Sequence, residues 1–410
     1  MTVAIVDGYA TARFLVAALT ERGTQCVHIA SDPNPPAAYQ RVFNPAPYLH
    51  DLGYHADLGV VVMKLRNLGV SQVIAGAESG VHLADALNHE LRAPGNDITR
   101  VAARRDKFAM AKQVRAAGLA APATTIVGDP RQAVDWFTAR GSRPIVVKPV
   151  ASAGTNDVSV CRTAEEVASR CAALIGTVDF FGATNEQALV QEFLEGEEFM
   201  VNTVSVHGVH KVVDVWRSAR TAGPDGAPIC DFQEPLPLTD GNARQVAAYA
   251  CEVVTALGIA NGAGHTEVML TADGPVLIES AARLMGGFLP WVSEKFSGTS
   301  QIQELAVALT SREEVHTFSD ADAVFSRHVR NVWLINRRAK PGRKDGWQQR
   351  IESLPTFVAL TTKVVPGQMV PLTVDLPSAP GFVSLAGGLD EVERDHRSIR
   401  EMELGGLYVD

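Results

Sequence analysis

Two short apolar runs around a turn constrain this chain more than any other feature. The first is Gly264-His265-Thr266-Glu267-Val268-Met269-Leu270, the second Val276-Leu277-Ile278-Glu279-Ser280-Ala281-Ala282-Arg283, and Ala272-Asp273-Gly274 lies between them. Such runs flanking a glycine turn read as a β-hairpin. Pairing Thr271 with Pro275 around a three-residue loop, with Gly274 in the left-handed position, puts Val268, Leu270, Val276 and Ile278 on one face and sets Glu267 opposite Glu279 on the other. Like charges directly opposite destabilise a sheet, and a divalent cation between them removes the conflict. A register slipped by one residue would set Glu279 against Val268 and mix the faces. The bland alternative is two solvated glutamates on an exposed sheet face.

The length, 410 residues, exceeds what one hydrophobic core serves, and about two to four domains are expected. With 46% hydrophobic residues, a large core is available. A net charge of −9 with dispersed Lys and Arg argues against nucleic acid as a partner, because that affinity is largely electrostatic. Five cysteines, an odd number without paired spacing, suggest neither a disulfide framework nor a zinc site and fit a reducing, cytoplasmic location. The N-terminus, Met1 to Gly8, reads as a first strand rather than a signal segment, and no apolar run is long enough to span a bilayer, so no membrane partner is expected.

Along the first hundred residues short apolar runs alternate with helical stretches, the pattern of an open parallel sheet. Strands are expected at Val3–Val6, Cys26–Ala30 and Val70–Ala75, with a helix near Thr11–Arg22 and the loop Gly76-Ala77-Glu78-Ser79-Gly80 after the third. A single glycine, Gly8, occupies the first turn; without a glycine triplet a nicotinamide dinucleotide is disfavoured. Pro94-Gly95-Asn96 marks a boundary, after which Asp106 caps a helix from Lys107 to about Ala117, closed by Gly118 and Pro122. The strand Ile145-Val146-Val147 ends in Lys148-Pro149, and the small-residue loop Ala151–Asp157 leads back into Val158–Cys161. Such a loop can fold its N–H groups over phosphate oxygens beside a lysine, although an ordinary surface hairpin reads the same way. Ala188 to Phe199 has strand, bend and strand character, Arg217 to Pro235 reads as a loop interrupting a sheet, and helices are expected at Arg244–Leu257 and Ile302–Leu309. From about residue 315 the pattern is strand-rich, a small appended domain with turns at Pro341-Gly342 and Pro366-Gly367.

Lys107, Lys148-Pro149 with its loop, Gln191-Glu192-Phe193-Leu194-x-Gly-x-Glu198, and Glu267 with Glu279 follow the order found in the ATP-grasp superfamily, which the chain resembles over nearly its whole length. More narrowly, His265-Thr266-Glu267, Glu279-Ser280-Ala281-Ala282-Arg283 and the C-terminal appendix are similar to the ligases that join two amino acids. The resemblance implies an α/β chain with a Rossmann-like pre-ATP-grasp domain over residues 1–97, a first ATP-grasp subdomain with entry helices over 98–185, a second with the metal and substrate site over 186–312, and a small C-terminal α+β domain over 313–410.

It also implies a site. Adenine would meet the backbone of Glu192 and Leu194 beside Gln191, which replaces the acidic residue common there; Glu198 would take the ribose hydroxyls. Lys107 and Lys148 would neutralise phosphate oxygens under a cover formed by Ser152, Gly154 and Thr155. Glu267 and Glu279 would hold Mg²⁺, with Mn²⁺ as a substitute, and Ala281 stands where many relatives carry Asn. Arg283 would be catalytic, its planar fork on the transferred phosphoryl group; its alternative is a salt bridge to Glu279. His265, Gly286, Gly287, Arg220 and Glu78 would meet substrate, although His265 reads equally well as a satisfied core histidine, and Leu284, Met285, Phe288 and Trp291 would line an acyl pocket or belong to the core. The reaction implied is activation of a carboxylate by ATP as an acyl phosphate, then displacement by an amine, with ADP and phosphate released. Its substrates would be small-molecule carboxylates and amines, amino acids on the way to a peptide-like natural product, and a homodimer is expected. An ATP-dependent carboxylase or formate-activating transferase is the competing enzyme, and a nucleotide-binding regulatory protein the competing non-enzyme.

Overall fold

The computed structural model describes residues 1–9, 11–150, 158–179, 182–224, 226–311 and 324–409. The opening strands are wholly parallel: β1 (Thr2–Val6), β2 (Gln25–Ala30), β3 (His50–Tyr54) and β4 (Val70–Ala75) lie in the order β3-β2-β1-β4. Val3 to Val6 is apolar without alternation because both faces of β1 are buried. Helices Ala12–Glu21 and Val81–Leu91 supply part of those covering layers. The edge strand β3 escapes sequence analysis because His50-Asp51-Leu52-Gly53-Tyr54 is half polar and largely exposed.

The helix Lys107–Ala116 starts where expected. The Asp106 carboxylate accepts the N–H groups of Phe108 and Ala109 at 2.8 and 2.9 Å, and Gly118, at φ 81°, turns the chain away. A second sheet follows in the order β5-β8-β6-β7, formed by β5 (Thr124–Val127), β6 (Ile145–Pro149), β7 (Ser159–Cys161) and β8 (Ala188–Glu192). It packs Ile145, Val147 and Val190 against Phe137 and Val167 of two covering helices.

The third sheet is antiparallel and eight-stranded: β9 (Glu197–Val206), β10 (Val209–Ala222), β11 (Pro228–Leu236), β12 (Gly262–Thr271), β13 (Gly274–Ala281), β14 (His328–Trp333), β16 (Phe357–Thr362) and β18 (Gly381–Gly387), in the order β13-β12-β9-β10-β11-β14-β18-β16. A ribbon of β15 (Lys340–Pro341) and β17 (Met369–Val370) lies apart. One expectation is corrected here. Arg217 to Pro235 is mostly strand: the Gly and Pro signals mark only the turn from β10 to β11, while the charged residues find partners across the sheet, as Arg217 does on Glu234. From residue 324 on the strands continue the third sheet, as β14 pairs with β11 at Phe232↔Val332 and Gln233↔Asn331. They build their own core around Val332, Trp347, Val383 and Tyr408 beneath helix Leu389–Leu404.

The hairpin places Glu267 opposite Glu279, as the pattern requires, but by another route. Thr271 pairs with Gly274 around a two-residue turn, and a β-bulge at Ile278 restores the register of the carboxylates. Val268 therefore faces Leu277, both buried beside Val246, Ala250 and Val253 of helix Gly241–Ala256. The expected apolar face of Val268, Leu270, Val276 and Ile278 is thus wrong for its last two members; Val276 faces Met269, and Ile278 borders a cleft.

Candidate active site

Three cross-strand rows on one face of the third sheet assemble the site. Asp214, Asn202, His265 and Ala281 form the first; Trp216, Met200, Glu267 and Glu279 the second; Ser218, Glu198, Met269 and Val276 the third. Spacing by two residues along β9, β10 and β12 keeps the rows on one face. A cleft of about 1220 Å³ runs between this face and the second sheet, bordered by Lys148, Gln191 and Leu194 on one side and by Glu198, Met269 and Ile278 on the other.

Lys107, first residue of its helix, donates from Nζ to Glu279 Oε1 at 2.9 Å. Lys148, near the end of β6, is buried in the same charge cluster. Burial and the Lys107 charge push its ammonium down to about 8, against the opposing pull of Glu279 and Glu267. Burial would raise the Glu267 carboxyl, but its hydrogen bond with His265 and the charges of His265, Arg220 and Arg283 hold it down to about 2. Two carboxylates and two ammonium groups thus converge as the sequence predicts.

His265 is engaged on both sides: Nδ1 lies 2.8 Å from Asn202 Oδ1 and Nε2 3.5 Å from Glu267 Oε1. Asn202 donates from Nδ2 to Asp214 Oδ1 at 2.5 Å. Neither Asn202 nor Asp214 is foreseen from sequence, where an isolated Asn and Asp in apolar strands carry no motif; their alternation with Met200 and Trp216 is the only signal.

Arg283 pairs with Glu78, not with Glu279: Nε donates to Glu78 Oε2 at 2.8 Å and Nη1 to the Leu284 carbonyl at 2.9 Å. Glu78 is buried at the start of a short 3₁₀ turn after β4, and Arg105 Nε stands 3.9 Å from its other oxygen. Asp7, at φ 56° just after β1, accepts from the Ser31 N–H at 2.8 Å and from the Ser31 and Ser79 hydroxyls at 2.5 Å, knitting together the strand ends beneath Glu78. Arg105 and Asp7 also go unseen in the sequence, because their partners lie far along the chain.

Other expectations shift. Arg220, expected against substrate, forks onto Glu198 Oε2 from Nε at 2.8 Å and Nη2 at 2.6 Å, the carboxylate expected to take ribose. The bulge in the β10–β11 pairing after Ala219 accompanies that placement. The Glu192 N–H is committed to the Ala123 carbonyl at 2.8 Å, so the adenine expectation narrows to the Glu192 carbonyl and the Leu194 backbone. Gln191 is buried on β8 opposite Val146. Gly287, at φ 72°, has Trp333 so close that a Cβ would lie 2.8 Å from Cζ2, whereas Gly286 is exposed with open space around it. Leu284 joins the core beneath β1, Met285 and Phe288 pack with Met200 and Trp216, and Trp291 is exposed. Ser152, Gly154 and Thr155 lie outside the described residues.

Residues 141–290 match the ATP-grasp domain family, in keeping with two sheets clasping a cleft. That stretch of the chain is an ATP-grasp domain. Dapdiamide A synthase of Enterobacter agglomerans is 29% identical over 394 residues, covering 93% of this chain and 90% of that protein. The crystal structure of L-amino acid ligase from Bacillus licheniformis superposes with a TM-score of 0.74 at 18% identity, covering 98% of this chain and 97% of that one. N5-carboxyaminoimidazole ribonucleotide synthetase from Thermus thermophilus gives 0.67 at 17% identity, covering 97% and 98%. Among the described residues no helix is long and apolar enough to cross a membrane.

Proposed function

We propose that this enzyme joins the carboxylate of one amino acid, or of a peptide-like intermediate, to the amine of another in an ATP-dependent reaction that releases ADP and orthophosphate. The observation that carries this reading is the convergence of Lys107, Lys148, Glu267, Glu279 and the Arg283–Glu78 pair at one end of an ATP-sized cleft. The likeness to dapdiamide A synthase supports amide formation as the outcome.

In this reading the adenine lies between Leu194 and the apolar pair Met269 and Ile278, and Glu198 with Arg220 meets the ribose. Lys107 and Lys148 screen phosphate oxygens from two sides, so that an anionic carboxylate can approach the γ-phosphoryl group. Glu267 and Glu279 suit a hard cation: both donors are oxygens, they face each other in register, and among the described residues no group of three or more His, Cys, Asp or Glu closes a cage. That open donor set fits Mg²⁺, which keeps waters and takes nucleotide oxygens as further ligands and would supply charge neutralisation on the phosphates. Arg283, anchored by Glu78, directs its remaining donors at charge developing on the transferred group. The chain's division at residues 97, 185 and 312, the location in the cytoplasm and assembly as a homodimer belong to the same proposal.

A screen of amino-acid pairs with ATP, scored for phosphate release and new product mass, tests it; ¹⁸O passing from a labelled carboxylate into phosphate marks the acyl phosphate. AMP with pyrophosphate would overturn it. The likeness to a carboxylating synthetase keeps a second reading open, and turnover with bicarbonate or formate but no amino-acid pair would select that reading. Absence of turnover with every acid would select a regulatory role.

A further inference from the structure

A second cavity shares no lining residue with the cleft. It holds about 680 Å³, within the range of about 300–1,000 Å³ typical of small-molecule sites, and opens where helices Leu58–Asn67 and Val81–Leu91 both end and the linker Gly95-Asn96 begins. The second of these helices starts just after Glu78, so its length, about 16 Å, separates the cavity from the Glu78–Arg283 pair. Arg66, His89, Glu90 and Arg92 border it. Arg66 is held on one side, Nη2 donating to the Glu90 carbonyl at 2.8 Å. Arg92 caps its helix at φ 55°, a left-handed position that suits glycine, yet it carries there a guanidinium with no partner among the described residues.

The charges select a ligand. Two guanidiniums against the one carboxylate of Glu90 leave room for an anionic group, and their planar forks match a carboxylate. The negative end of helix Val81–Leu91 borders the same space and, with Glu90, opposes a polyanion while favouring a cation. A small molecule carrying both a carboxylate and an ammonium meets both demands. The cavity wall is also bonded toward the proposed active site. Asn96 Nδ2 donates to Asp85 Oδ1 at 3.0 Å, and Asp85 Oδ2 accepts from Nε and Nη2 of the wholly buried Arg104 at 2.8 and 2.7 Å. Arg105, which faces Glu78, is the next residue, and Lys107 stands two further on.

We propose that this cavity is a second site, for a free amino acid or short peptide, with the α-carboxylate on Arg92 and Arg66 and the ammonium at Glu90, and that its occupancy is transmitted through Asn96, Asp85 and Arg104 to the residues that meet ATP. The ligand is recognised by its two charges, so the site does not depend on the ligase reading.

The test uses the full-length protein and follows the Arg92 side-chain Nε–H signal by ¹⁵N NMR, assigned by its loss in Arg92→Gly, a variant that suits the left-handed backbone and should keep the fold. L-alanine and L-alanyl-L-alanine are titrated beside N-acetyl-L-alanine, L-alanine methyl ester and inorganic phosphate. At least one of the two zwitterions should shift the signal saturably in wild type and bind at least tenfold more weakly in Arg66→Gln. Each of the other three should bind wild type at least tenfold more weakly than that zwitterion. Tighter binding of alanine makes the ligand a substrate-like amino acid, and tighter binding of the dipeptide makes it a product-like peptide. No saturable shift with either zwitterion, or equal binding of phosphate or the acetylated acid, overturns the proposal. Transmission is read by calorimetry: without zwitterion, wild type and Arg92→Gly should bind ATP equally, and a saturating zwitterion should change ATP affinity at least threefold more in wild type. Equal changes in the two proteins mean that only the cleft responds and overturn the transmission. Since neither arginine borders the cleft, a wild type that turns over no amino acid removes the ligase reading and leaves these spectra to decide the second site.

Discussion

Arg283 Nε and Glu78 Oε2 lie 2.8 Å apart across 205 residues of sequence, tying the Glu267–Glu279 hairpin to the C-terminal end of the parallel sheet. Ligand sites in open parallel sheets lie at those strand ends, and this pair brings that edge into register with Glu267 and Glu279. It also separates two roles that are usually confounded. Glu78 holds the guanidinium in place, while in the proposed reaction the donors it leaves over act on the reacting group.

Arg283→Lys should therefore lower kcat by about a hundredfold while changing ATP affinity by less than about threefold, because lysine keeps the charge and loses the planar fork. Glu78→Ala should behave differently. It strands a buried guanidinium and should cost on the order of 3 kcal/mol of stability. Melting temperature, calorimetric ATP affinity and kcat measured on the same preparations separate the two; a near-normal kcat in the folded fraction of Arg283→Lys would make this arginine purely structural.

The facing carboxylates give a second expectation. Glu279→Gln removes one anionic oxygen from the pair but leaves a hydrogen-bond acceptor for Lys107, so the fold should persist and turnover should fall by about a hundredfold or more. Titration calorimetry should show wild type losing ATP affinity when the metal is chelated, and the variant losing much less. Unchanged turnover at saturating Mg²⁺ would reject the assignment.

Lys148 predicts opposite pH trends for binding and stability. Its folded pKa is about 8 against 10.5 for the free side chain, so between these values the unfolded chain binds more protons and its contribution to stability rises with pH. Lys148→Met should accordingly be more stable than wild type at pH 7, and that gap should close as pH climbs past 8. ATP affinity runs the other way, since triphosphate needs the ammonium. Nucleotide binding at pH 8 should take up about half a proton, measurable by calorimetry in buffers of different ionisation enthalpy. A pH-independent affinity from 7 to 9.5 would place Lys148 away from the phosphates.

Much of this is legible in the sequence. The pattern set Glu267 against Glu279, although the structure reaches that register through a bulge and not through the expected turn, and the cap at Asp106 set Lys107 at the head of its helix. What stayed hidden has a common cause. Ile278 moved to the cleft because a bulge replaced a longer turn, and bulges leave little mark on an apolar run. Arg217 and Arg220 disguised a long strand as a loop because their partners, Glu234 and Glu198, are distant in sequence. Asn202, Asp214 and Arg105 matter only through cross-strand or interdomain neighbours, which a one-dimensional pattern does not contain.

Two adjacent glycines allow a sharp comparison at the loop after Arg283. Gly287 sits at φ 72°, and an added Cβ would approach Trp333 Cζ2 to 2.8 Å, while that indole is held by its Nε1–H on Gln233 Oε1 at 3.1 Å. The ring cannot swing away without leaving a buried amide oxygen unpaired. Gly287→Ala combines left-handed strain with overpacking and should cost about 2 kcal/mol. Gly286 has no such neighbour and no positive φ, so Gly286→Ala should stay within about 0.5 kcal/mol and keep its backbone N–H available to substrate. Urea unfolding with kcat measured alongside checks both. Equal destabilisation by the two substitutions would mean that the loop does not rest on Trp333, whereas loss of activity in Gly286→Ala without loss of stability would place the close backbone approach to substrate at Gly286.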